Sequence, residues 1–340
     1  MSSSAVDNSN VQEALAAIRL PLVVPPMPAA GLRLRLTTSP WLRSLFPTRL
    51  AVLIARSRGK ALWRSSRPTR EQALATMEAI VGGTERESEA AALARARVIE
   101  QEIERTLFWQ PWTMARLDDQ SEANVRLALG AGRGVLVSSS HLGPIFLHLS
   151  AITSRKRAFI VSAPWWFEDP TPDYWGRRLA HWWKRVERRD DRSVCSVGAY
   201  PVLRELLREG ELVVVYFDMP GSRPTRMLGK QVMLASGSAR LACETDSLVL
   251  PVRSRREGHI SWTDVAAPLD PRQFSSHEEL HDALAAVHER FILELPATLE
   301  DPNRAGAWAG GATAAGWTPP PRSAEAATAA TREGERLPAG

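Results

Sequence analysis

From Gly134 onward the chain alternates short β-branched runs with helical stretches, and few folds accept that alternation. The runs are GVLVSSS at 134–140, AFIVSA at 158–163, SVCSV at 193–197, LVVVYF at 212–217, SLVLPV at 247–252 and HISWTDV at 259–265. Helices are expected between and after them, over 144–154, 172–188, 200–208, 238–245 and 276–295. Parallel neighbours need a crossover, and crossover helices cover both faces of the sheet, so this order predicts a largely parallel or mixed sheet flanked by helices. The first third reads differently. Helices are expected over 41–56, over 69–81 with Thr69 as cap and Gln72 three residues on, and over 87–109, with no strand before residue 130. The fold class is therefore α/β with an N-terminal helical region. Residues 11–130 form that region and 131–310 the α/β core, while 1–10 and 311–340 are expected to be disordered.

Composition narrows the function. The chain has 340 residues, of which 44% are hydrophobic and 24% charged, enough to bury a large core without staples. Two cysteines, Cys195 and Cys243, are too few for a zinc cluster or a disulfide framework, so no metal is expected. The net charge of +5 comes from 43 basic residues, nearly all Arg, interspersed with 38 acids. That mixture points away from nucleic acid. No apolar stretch reaches the length of a membrane span, and MSSSAVDNSN lacks the order of a signal peptide. The expected location is the cytoplasm, with peripheral attachment to the inner face of the cell membrane as an option.

No Gly-x-Ser-x-Gly or Walker loop occurs, which removes the commonest hydrolase and NTPase chemistries. The glycines of GAGRG at 130–134 precede a strand rather than opening a helix, so they read as a turn. His141 stands out. It follows a buried run and precedes Pro144, a good first helical residue, which places it at the carboxyl end of a strand. Ligands bind at that edge in open α/β sheets, and a His there can act as general base or simply hold the loop backbone. Asp218 ends a second such run, as a base-orienting acid or as a loop cap.

The segment GRGVLVSSSHLG at 132–143, the strand ending in Asp218, Leu228-Gly229, the helix start from Gly237 to Ala242 and Leu250-Pro251 together resemble the bacterial lipid A late acyltransferase family. That family includes phosphatidylinositol mannoside acyltransferases and lies in the lysophospholipid-acyltransferase-like superfamily. Residues 47–63 and 87–112 look like its N-terminal helices, and the resemblance covers roughly residues 45–310. It implies a glycerolipid-acyltransferase-like fold and transfer of a fatty acyl group from an acyl-carrier-protein or CoA thioester to a hydroxyl or amine acceptor. No cofactor beyond that co-substrate is implied. His141 matches the family's base, which deprotonates the acceptor while nearby donors stabilise the oxyanion.

The chain departs from the family at one position. The acid expected after four intervening residues past the His is absent, and Phe146 stands there. Asp218 is the leading substitute for that acid, ahead of Glu168 and Asp169. If none serves, either a less demanding acceptor is used or the chain is a catalytically silent relative that binds acyl chains, carrier protein or a partner enzyme. Candidate substrate-binding residues are Arg223 and Arg226, whose guanidiniums suit phosphate, with Gly143 and Ser238 at helix entries. His148 reads as a packed helix residue. Trp165, Trp166, Trp175, Trp182 and Trp183 crowd one segment, and on the helix expected there Trp175, Leu179, Trp182, Trp183 and Val186 share a face. With basic neighbours, that face suits an anionic membrane surface, an acyl groove or the core, and Trp182 and Trp183 are its candidate contacts.

Overall fold

The computed structural model describes residues 8–18, 39, 42, 45–107, 115–144, 151–152, 155–162 and 192–299. Helices α1 (Asn8–Ile18), α2 (Thr48–Ser65), α3 (Arg67–Val81), α4 (Ala90–Leu107) and α5 (Asp119–Gly130) precede the first strand. Then follow β1 (Val135–Ser139), β2 (Ala158–Ser162), β3 (Arg192–Cys195), α6 (Tyr200–Arg208), β4 (Leu212–Tyr216), β5 (Pro220–Met227), β6 (Lys230–Leu234), α7 (Gly237–Thr245), β7 (Leu248–Glu257), β8 (Ile260–Val265) and α8 (His277–Glu294). The main sheet has the order β3-β2-β4-β1-β7-β8. β1 pairs in parallel with β4 and β7, β2 in parallel with β3 and β4, and β8 turns back antiparallel on β7. The sheet is mixed, with β1 at its centre.

The strands are apolar on both faces because both are covered. Leu136, Phe159 and Val213 point into one core with residues of α1, α3, α4, α6, α7 and α8. Their neighbours Val135, Val137, Ala158, Ile160, Leu212 and Val214 point into a second core under Val125 and Ala128 of α5. Side chains alternate along a strand, so near-continuous hydrophobic runs are what a doubly covered sheet requires.

Several expectations shift. Helix α1 begins at Asn8, inside the segment expected to be disordered. Ser66, not Thr69, caps α3: its Oγ accepts the Thr69 N–H and sits 2.8 Å from the Thr69 hydroxyl, with Pro68 in the first turn. Helix α2 runs to Ser65 rather than stopping at 56, because Gly59 lets it lie flat on α4. Helix α5, capped by Asp118, was not anticipated. The largest correction lies after Asp218. The polar stretch 218–226, read as a loop, is mostly strand β5, which forms a separate antiparallel hairpin with β6. Leu228 (φ 55) and Gly229 (φ 70) make its two-residue turn. A leucine in the left-handed region is uncommon; here its side chain is buried and its N–H donates to Glu289 Oε1 at 2.5 Å. The expected helices over 144–154 and 172–188 and the tail from 311 fall largely or wholly outside the described residues.

Candidate active site

Strands β1 and β4 lie side by side with Ser139 opposite Tyr216. Two residues beyond each strand, on the same carboxyl edge, stand His141 and Asp218. Their separation of 77 residues equals the register offset of the two strands, so parallel pairing itself brings them level.

The carboxylate of Asp218 clasps the histidine twice. Its Oδ2 accepts the backbone N–H of His141 at 2.9 Å, and its Oδ1 lies 2.8 Å from His141 Nδ1. An ionised carboxylate only accepts, so Nδ1 carries the hydrogen and Nε2 the lone pair. Asp218 is 1% exposed at its side chain and His141 15%. The acid is sealed while the imidazole keeps an edge to the surface. The His141 ring also stacks on Tyr216, with centroids 4.2 Å apart.

The turn carrying His141 is held from beneath. Leu142 bridges to Leu299, the Gly143 N–H donates to Thr298 O at 3.0 Å, and the Leu142 N–H reaches Ser140 O at 2.7 Å. Gly143 has φ +68, and a Cβ there would come within 2.3 Å of Ser254 O. Only glycine satisfies both demands. Gly143 is thus required by backbone geometry and close packing. A cavity of about 200 Å³ adjoins Gly143 and Pro144 and is lined also by Leu93, Arg256, Leu295 and Thr298. Arg256, nearly sealed there between Glu100 and Glu104, has its guanidinium pKa drawn down to about 10 by burial.

Beneath the pair lies a second set of histidines that the sequence reading passed over. His288 of α8 is buried, its Nε2 is 3.0 Å from Ser138 Oγ of β1, and its ring stacks on Phe217. His281, one heptad earlier, is also buried, with Nε2 2.9 Å from Thr225 Oγ1. Burial lowers both pKa values to about 4; the charge of Asp218 offsets a part of this for His288, and Arg223 adds to it for His281. Both are neutral near pH 7. The available signal was their placement, with Leu280, Leu284, Ala285, Phe291 and Ile292, on the buried stripe of α8.

The remaining candidates scatter. Arg223 lies on β5, not in a loop, and its Nη2 donates to Asp282 Oδ1 at 3.0 Å and to Glu278 O at 3.3 Å. Arg226 is an exposed residue of the same strand. Ser238 stands in the first turn of α7, and its buried hydroxyl has no hydrogen-bond partner among the described residues. Phe146, His148, Glu168, Asp169 and the tryptophans 165, 166, 175, 182 and 183 lie outside the described residues. Among the described residues no three His, Cys, Asp or Glu side chains converge as a metal site, and no helix is long and apolar enough to cross a membrane.

No protein-family model matches the chain, and no match was found among curated proteins. Among solved structures, the chain is similar to the crystal structure of the 1-acyl-sn-glycerophosphate (LPA) acyltransferase PlsC from Thermotoga maritima. The two are 18% identical over 77% of this chain and 100% of that one, with a TM-score of 0.37.

Proposed function

We propose that the protein is an acyltransferase that moves a fatty acyl group from a CoA or carrier-protein thioester to a hydroxyl or amine of a lipid, glycolipid or secondary metabolite. The observation that carries this reading is the double clasp of Asp218 on His141. It supplies, from a neighbouring strand, the orienting acid that position 146 lacks. With Nδ1–H held by the carboxylate, Nε2 takes the proton of the acceptor O–H or N–H as that oxygen or nitrogen bonds to the thioester carbonyl carbon. Collapse of the tetrahedral adduct breaks the C–S bond, and the imidazolium returns the proton to the departing sulfur. Asp218 stabilises the cationic ring between these two transfers. No covalent acyl-enzyme and no cofactor is needed.

The test is incubation of the full chain with acyl-CoA and a panel of hydroxyl and amine acceptors, read by mass spectrometry. Acylated product from wild type, lost in His141→Ala with folding intact, supports the reading. An inert wild type that still binds acyl-CoA would favour a silent acyl-binding relative. Undiminished product from His141→Ala would remove His141 as base.

A further inference from the structure

We infer that Tyr216 is a positioning residue for His141: its ring holds the plane of the imidazole, as Asp218 holds the edge. Tyr216 closes β4 opposite Ser139, so the strand pairing that aligns His141 with Asp218 also sets the phenol against the imidazole. The ring centroids are 4.2 Å apart and the planes are inclined by 28°. Tyr216 is half-buried, and His141 keeps an exposed edge. An aromatic stack can be packing alone. Phe217, the next residue, stacks on His288 with centroids 4.7 Å apart, and both of those rings are sealed in the core. The Tyr216 stack differs in lying at the carboxyl edge of the sheet, where neither ring is fully enclosed.

The two contacts restrain different motions. The 2.8 Å contact of Asp218 Oδ1 with Nδ1 fixes which nitrogen faces the acid. A hydrogen bond tolerates bending by about 30° before it weakens steeply, so alone it lets the ring rock out of its plane and carry Nε2 through about 1 Å. Misplacement on that scale costs a reaction about 10²-fold. Rocking towards Tyr216 meets its ring at van der Waals contact, and rocking away forfeits the stack. Given the acyl transfer proposed above, on which this inference rests, the same face acts a second time. Once Nε2 has taken the proton, the imidazolium lies against the negative face of an aromatic ring. Both effects operate when the proton moves and not when the thioester binds, so they belong to kcat rather than KM.

The experiment pairs steady-state kinetics with the NMR order parameter of the His141 Cδ2–H bond in the full chain, the signal being identified by its absence from His141→Ala. Tyr216→Leu removes the ring face, and Tyr216→Phe keeps it. The order parameter should be about 0.8 in wild type and Tyr216→Phe and should fall below about 0.6 in Tyr216→Leu. Tyr216→Leu should also lower kcat about 10- to 100-fold, with KM for acyl-CoA within about twofold and Tm within about 4 °C of wild type. Tyr216→Phe should keep kcat within about threefold. An unmoved order parameter in Tyr216→Leu, equal losses of kcat in the two variants, or a loss carried by KM would overturn the inference. If the wild type transfers no acyl group, the proposed function fails, and the order parameter still decides whether Tyr216 holds the ring. If Tyr216→Leu does not fold, Tyr216→Met, similar in reach and without a ring, takes its place in both measurements.

Discussion

His141 and the His281–His288 pair of α8 flank the same turn after β4 but face different partners. His141 keeps an exposed edge and meets a buried carboxylate. His281 and His288 are sealed, meet hydroxyls of Thr225 and Ser138, and have pKa values near 4. A hydroxyl cannot balance a cationic ring, whereas a carboxylate can, and a sealed ring cannot reach an acceptor. Under the proposed function, proton transfer falls to His141, and the other two histidines pack.

The largest effect that would break this contrast is on turnover. Asp218→Asn keeps the shape but cannot hold the same tautomer with a negative charge, and it should lower acyl transfer by roughly 10³ to 10⁴ with the fold retained. Steady-state kinetics beside circular dichroism check this; a loss below tenfold would return Asp218 to the role of loop cap. Next comes the loop itself. Gly143→Ala combines an unfavourable φ with overlap on Ser254 O and should cost about 2 to 4 kcal/mol in chemical denaturation. A change under about 0.5 kcal/mol would show that the turn can move.

A smaller effect sharpens the other half. An unfolded histidine binds its proton near 6.5, and folded His281 and His288 only near 4, so between these values the unfolded chain holds more protons. Their contribution to stability is complete above pH 6.5 and falls as pH drops towards 4. Thermal melts should show Tm declining over that window. His288→Leu should flatten the decline, and an unchanged slope would mean other groups cause it.

The site was half legible in the sequence, for reasons tied to particular residues. The runs at 134–140 and 212–217 are followed at once by His141 and Asp218, and once both are strands of one parallel sheet the equal offset from the strand ends brings the two residues together. The hairpin β5–β6 was hidden because Pro220, Gly221 and Pro224 are poor strand formers, tolerated where a two-stranded unit stands apart from the main sheet. Its alternation of buried Thr225 and Met227 with exposed Pro224 and Arg226 is too short to outweigh them. Arg223, expected in a loop, stands on β5 for the same reason and faces Asp282 of α8. The smallest predicted effect follows. Arg223→Ala breaks a surface-edge ion pair and should shift stability by about 0.5 kcal/mol or less, with KM for acyl-CoA within about twofold of wild type. A rise above about tenfold would restore it as a phosphate contact.

The most direct measurement is a double-substitution cycle on His141 and Asp218, using acyl transfer from acyl-CoA. Groups that act as one unit are non-additive: with His141→Ala made, Asp218→Asn should cost almost nothing more, and the double variant should match the His141→Ala enzyme within about threefold. Losses that multiply, with the double variant down by the product of the two single effects, would show that Asp218 acts on something other than His141 and would contradict the account.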